Sequence, residues 1–332
     1  MTSGTSKIFI AWRALGTRTK ELARILGIKV VFYKDFPPYI SAAIRTVLAL
    51  LRLRPKIVFI QLPQGPLLLL VAFLKKFLRF ILIADVHTAF LYHIKLKEKL
   101  LNKPFMNYLK NCDIIILHNE EIRRKFIMEK ELQKKAMVIH DPLPKICKDV
   151  QKRYSQKGVI KFIYPSSFAP DEPIEHVIQA FLEIIKENPN CILYITGNWK
   201  RQRQLKKYIS ISKNIVFTGF LPRKNYESLL INSDVVIALT RREYTFLSAA
   251  AEGLAAEKPL LLSSTRTLRS IFKKGAIFVS PIDANDIKRG LKLMLRDDIR
   301  KVLLNEIREF KREYISMLKK ELNILQKLIA YT

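Results

Sequence analysis

The residues best suited to chemistry lie in one charged loop and the segment after it. Arg241, Arg242 and Glu243 stand together, and Thr245 follows at a position from which its hydroxyl can cap a helix. Glu252 lies seven residues after Thr245, so both side chains share one helical face. The free N–H groups of a helix N-terminus attract an anion, and the two arginines reinforce that attraction. Because Glu252 can accept hydrogen bonds from sugar hydroxyls, the stretch predicts half of a nucleotide-sugar site.

Two apolar runs must position this loop. Residues 235–239 predict a buried strand that ends just before the arginines, and Pro259 opens a second run that extends to residue 262. Strand, loop, helix and strand make one βαβ unit. The loop lies at the carboxyl end of its strand, which is where ligands bind in open α/β sheets.

The same alternation of apolar runs and helical patterns continues over most of the chain and predicts two Rossmann-like, doubly wound α/β domains. We place the first domain at residues 1–140, a linker at 141–157, and a second domain that carries the predicted site at 158–296. From 297 to 332, apolar residues recur at intervals of three and four. This periodicity predicts one long C-terminal helix that packs back toward the first domain.

The net charge of +30, from 59 Lys and Arg against 29 Asp and Glu, limits the possible partners. The first hundred residues carry 17 basic and 4 acidic residues, interleaved with long apolar runs. Nucleic-acid grooves combine basic residues with spaced aromatics, so this pattern favours an anionic membrane surface, and no nucleic-acid partner is expected. Residues 40–54 and 67–79 predict helices that pack on the sheet and also make a shallow membrane contact.

The sequence predicts neither a membrane span nor a secretory signal. The most apolar stretch, residues 66–84, is interrupted by three basic residues, and its unbroken part is much shorter than the roughly 20 residues that a spanning helix needs. Cys112, Cys147 and Cys191 lack disulfide or metal-ligand spacing and are interpreted as small core residues, which suits a reducing cytoplasm. We therefore expect a cytoplasmic protein associated peripherally with the inner face of the cell membrane.

A second candidate site follows a strand of the first domain. Asp85, Val86, His87 and Thr88 stand at its predicted carboxyl end, where cleft loops gather, and His87 is the residue that we favour for chemistry. The alternative is an imidazole that braces the following helix. Four other histidines show no metal-ligand spacing and are interpreted as structural: His93, His118, His140 and His176. No metal site is expected.

Four motifs within residues 158–290 resemble the family 4 type of the glycosyltransferase B (GT-B) fold. They are the strand Phe162–Ser167, the strand and turn Tyr194–Asn198, the strand–glycine turn Val216–Phe220, and Glu252–Pro259, which is similar to the family's Glu-Ala-x-Ala-x-Gly-Lys-Pro. The resemblance implies the GT-B fold and a retaining transfer of sugar from a nucleoside diphosphate sugar, without a bound metal or a further cofactor.

The resemblance also implies roles for individual residues. Glu252 would hold the ribose of the donor, and Glu243 would lie near the sugar or its leaving phosphate. His87 would belong to the acceptor-side histidine loop in the first domain. The remaining predicted donor residues are the loop arginines, the start of the helix and a cleft turn: Arg241, Arg242, Thr245, Gly197 and Asn198.

The sequence departs from the family at two points. The family spaces its two glutamates by eight residues, whereas Glu243 and Glu252 are nine apart. The usual Arg and Lys after the first strand of the donor domain are replaced by Ser167–Asp171. Phosphate binding is therefore assigned to three other residues: Ser166, Ser167 and Arg241.

These observations predict a hexosyltransferase-like glycosyltransferase of glycolipid or polysaccharide biosynthesis. Its expected partners are a nucleotide sugar, an anionic membrane surface and a lipid-linked acceptor, either a polyprenyl-linked sugar or another glycolipid. Two alternatives remain open. One is a nucleotide-sugar epimerase or phosphorylase of the same fold, and the other is a basic nucleic-acid-binding protein.

Overall fold

The computed structural model describes residues 7–93, 96–147 and 158–331, which divide into two compact units. Unit 1 contains the residues up to Pro142 and those from Met317 onward, and unit 2 runs from Leu143 to Ser316. Most of the predicted linker, residues 148–157, lies outside the described residues. Each unit has its own parallel sheet and its own apolar core.

Unit 1 is built on a sheet of six parallel strands. The strands are β1 (Lys7–Trp12), β2 (Lys29–Tyr33), β3 (Ile57–Leu62), β4 (Ile81–Val86), β5 (Ile114–Leu117) and β6 (Ala136–Val138). Their order in the sheet is β2-β1-β3-β4-β5-β6. The strands β1, β3, β4 and β5 are buried along almost their whole length, as expected for a parallel sheet with helices on both faces.

Short helices connect these strands. They are α1 (Thr17–Leu26), α2 (Ile40–Leu53), α3 (Gly65–Leu78), α4 (Thr88–Leu91), α5 (Leu96–Asn102), a 3-10 helix (Lys103–Asn111), α6 (Glu120–Phe126) and α7 (Lys130–Lys135). The sequence pattern predicts one helix over residues 95–110. In the structure it changes to 3-10 geometry after Asn102, because Pro104 has no N–H to continue the α-helical ladder.

Right-handed crossovers distribute these helices over the two faces of the sheet. The connection through α1 runs from β1 to β2, whereas those through α2, α3 and α5 run in the opposite direction. These three helices therefore share one face. On the other face, the core contains Phe9, Leu22, Phe59 and Ile83.

Unit 2 repeats this plan. Its strands are β7 (Ile160–Pro165), β8 (Cys191–Thr196), β9 (Ile215–Gly219), β10 (Val235–Ala238), β11 (Leu260–Ser263) and β12 (Ala276–Val279). They are parallel, in the order β12-β11-β10-β7-β8-β9. The chain runs from β7 to β8 and β9 on one side and then returns to β10 on the other. The direction of winding therefore reverses between β7 and β10, and a crevice opens beyond the carboxyl ends of these strands. The predicted α/β class with two doubly wound domains is confirmed.

The helices of unit 2 include the predicted Ala-rich helix, but it starts later than expected. They are α8 (Ile174–Glu187), α9 (Arg223–Ile231), α10 (Ser248–Ala255), α11 (Arg266–Ile271), α12 (Ala284–Leu295) and the first part of α13 (Asp297–Tyr331). The prediction that Thr245 caps α10 is wrong: Leu247 is the N-cap. Tyr244 turns the chain with a φ of 61°, and its N–H donates to Thr267 Oγ1 at 3.0 Å, which holds the preceding loop away from the helix.

The C-terminal helix α13 is the long helix that the periodicity predicts. Its buried stripe follows intervals of three and four: Leu303, Ile307, Phe310, Tyr314, Leu318, Leu322 and Leu325. The part up to Ser316 belongs to unit 2, and the part from Met317 belongs to unit 1. In unit 1, the last three residues of the stripe complete the core on the face of α1.

The three cysteines differ in burial. Cys112 and Cys191 are buried, and this burial raises the pKa of Cys112 to about 12 and that of Cys191 to about 11. Cys147 is exposed, so its interpretation as a core residue is wrong. It lies in an irregular segment after Pro144, where its N–H donates to Glu227 Oε2 at 3.3 Å.

Candidate functional site

A cavity of about 560 Å³ opens in unit 2 at the carboxyl ends of β7 and β10. Its walls come from the ends of β7, β8 and β10, from the loop before α8, from α9 and from the start of α10. Six predicted donor-binding residues line it: Ser166, Ser167, Gly197, Arg242, Thr245 and Glu252. The cavity thus occupies the crevice created by the reversal of winding, which is the usual ligand position in such sheets.

Gly197 allows two loops at the cavity edge to approach each other closely. It has a φ of 112°, and a Cβ placed on it would lie 2.0 Å from the carbonyl oxygen of Ser166. Its N–H donates to the carbonyl of Gly219 at 2.9 Å. Only glycine satisfies both the backbone conformation and the close contact, so Gly197 shapes the cavity through its missing side chain.

The carboxylate of Glu252 is held by two side chains of α9. Its Oε1 accepts a hydrogen bond from Arg223 Nη1 at 3.1 Å, and its Oε2 accepts one from the hydroxyl of Tyr226. Burial raises the pKa of Tyr226, and the Glu252 charge raises it further, so the hydroxyl stays protonated and donates. A carboxylate offers about four acceptor positions. Glu252 therefore keeps acceptor capacity for a ligand in the cavity.

Sequence reasoning missed Arg223 and Tyr226. They lie 29 and 26 residues before Glu252, beyond the reach of any local pattern. The sequence pattern that could have identified them is the spacing of Arg223, Tyr226 and Glu227. These residues stand at positions i, i+3 and i+4, which places three polar side chains on one face of α9. Arg223 Nε also donates to the buried Glu227 Oε1 at 2.5 Å, so its guanidinium is anchored on one side and contacts Glu252 on the other.

The positive side of the cavity comes from the start of α10 and from Arg242. Ser248 and Ala249 line the cavity, and the N-cap residue of their helix, Leu247, makes no side-chain hydrogen bond to the first N–H groups. Such uncapped groups carry the positive end of the helix dipole. Arg242 also lines the cavity, and its buried Nε has no hydrogen-bond partner within the described residues. Both features favour an anionic ligand.

A carboxylate occupies the loop in which the sequence predicts phosphate binding. Glu172 accepts hydrogen bonds from the hydroxyls of Ser166 and Ser167 at 2.5 and 2.7 Å, and from the N–H groups of Ser167 and Phe168 at 3.1 and 2.9 Å. These donors are therefore engaged with Glu172. Ser166 and Ser167 line the cavity as expected, but they present a loop closed by an acidic residue.

Three predicted residues lie away from the cavity wall. Arg241 is exposed, its Nη2 lies 3.1 Å from His176 Nδ1, and it lines a neighbouring cavity of about 280 Å³. Glu243 accepts a hydrogen bond from the N–H of Arg266 at 3.3 Å, at the start of α11. Asn198 is exposed and begins a short 3-10 helix. Arg242 is thus the loop arginine that contributes to the cavity.

Phe220 stands at the cavity mouth with 82% of its surface exposed. Phe220 is therefore not part of the apolar core of unit 2. It directly follows Gly219, which ends β9 with a φ of 73°. The turn leaves the ring without apolar cover, where it is available to a flat ligand group.

His87 lies in unit 1 at the carboxyl end of β4, where it is the N-cap residue of α4. Its Nε2 lies 3.2 Å from Asp85 Oδ2, and its ring meets that of His118 edge-on, with 4.8 Å between centroids. A Cβ on Gly16 would lie 3.4 Å from the His87 ring, so the loop after β1 passes beside it. His118, interpreted from the sequence as structural, therefore contacts the histidine that we favour for chemistry.

Comparisons with known proteins agree with this architecture. Among solved structures, sucrose-phosphate synthase from Thermosynechococcus elongatus has a TM-score of 0.75 and 12% identity, and covers 98% of this chain and 100% of its own. HepE of Anabaena in complex with UDP and glucose has a TM-score of 0.71 and 12% identity, and covers 96% of this chain and 91% of its own. These likenesses define the class as the GT-B fold. No curated protein matches the sequence.

The family itself follows from the sequence of unit 2. The family model described as Glycosyl transferases group 1 matches residues 147–313, which include the cavity and the first part of α13. The chain belongs to this family and is a glycosyltransferase.

Proposed function

We propose that unit 2 binds a nucleoside diphosphate sugar and that the enzyme transfers its sugar to a lipid-linked acceptor at an anionic membrane. The observation that carries the donor site is the cavity with Glu252 on its wall beside the uncapped start of α10. HepE in complex with UDP-glucose shares the fold. That likeness supports a uridine nucleotide as the first candidate.

The cavity offers a partner for each part of such a donor. The ribose hydroxyls donate to Glu252, whose two oxygens each keep a free acceptor position. The diphosphate binds the N–H groups at the start of α10 and Arg242, whose Nε has no hydrogen-bond partner within the described residues. The base stacks on the exposed ring of Phe220, since an aromatic side chain can cover any nucleobase.

Retention of the anomeric configuration and transfer without a metal ion belong to the same proposal, and the resemblance to family 4 supports them. In this scheme the enzyme positions the reactants and stabilises the negative charge that develops on the leaving diphosphate. An NMR measurement of the anomeric signal of the first product formed, in buffer with a chelator, tests both points. An inverted product, or activity that a chelator abolishes, would contradict them.

A thermal-shift series with uridine, guanosine and adenosine diphosphates tests the donor site. A ligand that binds only the folded protein stabilises it by about 2.7 kcal/mol when its concentration is 100 times Kd. We expect one nucleoside diphosphate to raise the melting temperature and the corresponding monophosphate to do so less, because it lacks one phosphate for Arg242 and the start of α10. No shift with any of the three diphosphates would refute the site.

The membrane proposal rests on the face of unit 1 formed by α2, α3 and α5. We call the exposed apolar side chains of this face the apolar rows. They repeat at helical spacing: Ile40, Ile44, Leu48 and Leu51 on α2, Phe73 and Phe77 on α3, and Leu96 and Leu100 on α5. Each is between 49 and 71% exposed. An outward apolar face on helices that already pack on a sheet suits shallow insertion into a bilayer surface.

The charge of this face indicates which kind of membrane surface it binds. The helices α2 and α3 contain no acidic residue, and exposed basic residues flank the apolar rows: Arg45, Arg52, Arg54, Lys76 and Arg79. Each Lys or Arg close to an anionic leaflet contributes about 1 kcal/mol of binding. In the described parts of the chain, no helix is long and apolar enough to cross a membrane. We therefore propose peripheral association with the anionic inner face of the cell membrane, where a polyprenyl-linked or other glycolipid acceptor would lie.

Co-sedimentation with phosphatidylglycerol vesicles tests this surface. We expect binding that falls with salt and is absent with phosphatidylcholine alone. Arg52→Gln combined with Lys76→Gln should weaken binding by about 2 kcal/mol, or roughly 30-fold. The matched control is Lys319→Gln with Lys320→Gln, which removes two exposed charges from α13. Equal losses from both double variants would show that net charge, and not this face, determines binding.

A further inference from the structure

A buried polar cluster of unit 1 lies at the carboxyl ends of β4, β5 and β6. The guanidinium of Arg18 joins two carboxylates there: Nε donates to Asp85 Oδ1 at 2.9 Å, and Nη1 donates to Asp141 Oδ1 at 2.5 Å. The side chains of Arg18 and Asp85 are 4 and 0% exposed. Burial raises the pKa of both carboxyls, but Arg18 and the neighbouring imidazoles lower it by more, so both pKa values lie well below the ordinary value.

Each carboxylate also binds one imidazole. Asp85 Oδ2 lies 3.2 Å from His87 Nε2, and Asp141 Oδ1 lies 3.1 Å from His118 Nδ1. An ionised carboxylate only accepts hydrogen bonds, so the facing ring nitrogen must carry the proton. The structure therefore fixes different tautomers: Nε2–H for His87 and Nδ1–H for His118.

In the neutral form of each ring, the opposite nitrogen then carries a lone pair. Burial lowers the pKa of His118, and the Arg18 charge lowers it further, which keeps that ring neutral. His118 Nε2 is buried and has no hydrogen-bond partner within the described residues, and the same holds for Arg18 Nη2. The cluster thus contains an unpaired acceptor and an unpaired donor. A sugar hydroxyl group can serve either atom, because it donates to an acceptor nitrogen and accepts from a donor nitrogen.

We propose that His118 joins His87 in binding sugar hydroxyl groups of the acceptor, and that Arg18, Asp85 and Asp141 are positioning residues that hold both imidazoles as hydrogen-bond acceptors. This inference rests on the proposed glycosyl transfer and adds a second histidine to its acceptor side. Asp85 acts through His87, and Asp141 acts through His118.

A divalent metal ion is the competing occupant, because ligand atoms of Asp85, His87 and His118 lie within 4.8 Å of one another. The guanidinium of Arg18 argues against it. Arg18 Nε already binds Asp85 at 2.9 Å, and a second cation beside this buried charge would be repelled. The hydroxyl site is therefore favoured.

Imidazole NMR tests the tautomers without any substrate. Long-range 1H–15N correlation at neutral pH should show Nε2–H for His87 and Nδ1–H for His118. In Asp85→Asn, Arg18 Nε still needs an acceptor, so the amide oxygen faces Arg18 and the amide NH2 group faces His87. His87 Nε2 must then accept a hydrogen bond, and the proton of the His87 ring is expected on Nδ1. In Asp141→Asn, one oxygen serves both Arg18 and His118, so the tautomer of His118 should persist. A wild-type His87 protonated on Nδ1 alone would overturn the inference.

Transfer kinetics test the role of the cluster. With a labelled nucleotide sugar and lipid extract, Asp85→Asn and His118→Asn should each lower kcat/KM by about 10- to 100-fold. Asp85→Asn removes the acceptor nitrogen of His87 by changing its tautomer, and His118→Asn removes the acceptor nitrogen of His118, so in each case a sugar hydroxyl of the acceptor loses its hydrogen-bond partner. Affinity for the nucleoside diphosphate should not change, since its cavity lies in unit 2. The control Glu321→Gln removes the carboxylate that lies 2.7 Å from His140 and should leave kcat/KM unchanged.

The outcomes separate the two proposals. Absence of transfer from every nucleotide sugar would refute the proposed function, whatever the tautomers. Transfer that Asp85→Asn and His118→Asn leave intact would refute this inference alone. Tight binding of Zn²⁺ that His118→Asn abolishes would identify a metal site and would also overturn it.

Discussion

Replacing Glu252 with glutamine removes one negative charge from the wall of the donor cavity and leaves the side chain almost the same shape. In the native structure, Arg223 and Tyr226 each donate to one carboxylate oxygen. In the variant, the amide oxygen must face Arg223, because a guanidinium cannot accept a hydrogen bond. The NH2 group then faces the hydroxyl of Tyr226, which can accept. Both neighbours remain paired, so the change acts mainly on the ligand.

The magnitude follows from the hydrogen bonds that the ligand loses. A hydrogen bond to a charged group contributes about 1.5–3 kcal/mol, and the ribose loses the anionic acceptor on the Tyr226 side. We expect the affinity for the nucleoside diphosphate to fall by about 10- to 100-fold. Folding stability should change by less than about 1 kcal/mol, because no buried group is left unpaired.

Calorimetric titration of the nucleoside diphosphate that binds best measures this loss. The matched control is Glu227→Gln, which removes the other carboxylate partner of Arg223 but lies outside the cavity wall. We expect the control to change Kd by less than about 3-fold, or less than 0.7 kcal/mol. Equal affinities for the wild type and Glu252→Gln would refute the assignment of Glu252 to the ribose.

Three further predictions concern stability and membrane binding. Gly197→Ala should destabilise the protein by about 3 kcal/mol in chemical denaturation, because its φ is 112° and its Cβ would lie 2.0 Å from a carbonyl oxygen. Gly27→Ala, with a φ of 64° in the left-handed helical region and open space around its Cβ, should cost only about 1 kcal/mol. Leu48→Glu should abolish vesicle binding, and Ile324→Glu on the other face should preserve it. The free energy of unfolding should fall as the pH drops below the ordinary histidine pKa of 6.5, because His118 takes up a proton in the unfolded chain while its lowered pKa keeps it neutral in the folded protein. The fall should reach up to about 1.4 kcal/mol per pH unit, and His118→Asn should remove it.

The fold was predictable because each buried strand is a short apolar run and the longer helices between strands, such as α8 and α12, have an apolar stripe. The place of Glu252 on the wall of a polar site was also predictable, because a carboxylate in an Ala-rich helix requires hydrogen-bond partners. Its partners, Arg223 and Tyr226, depend on how α9 packs beside α10, which no local pattern encodes. The start of α10 was mispredicted for the same reason, since the turn at Tyr244 depends on a hydrogen bond to Thr267.

The hydrogen bonds of Ser166 and Ser167 to Glu172 also could not be predicted from a local sequence pattern. The sequence places all three in one loop, but only the folded loop shows that one carboxylate accepts four hydrogen bonds from its donors. The pairing of His118 with His87 joins the ends of two neighbouring strands, β4 and β5, and it therefore requires the strand order.

Transfer of a labelled sugar into lipid tests the central claim most directly. The enzyme is incubated with UDP-, GDP- and ADP-sugars and a lipid extract, and both the label in the lipid phase and the released nucleoside diphosphate are measured. We predict that one donor gives equal amounts of the two products, and that Glu252→Gln lowers both together. Release of no nucleoside diphosphate from any donor, or release with the label remaining in water-soluble products, would contradict a lipid-directed glycosyltransferase.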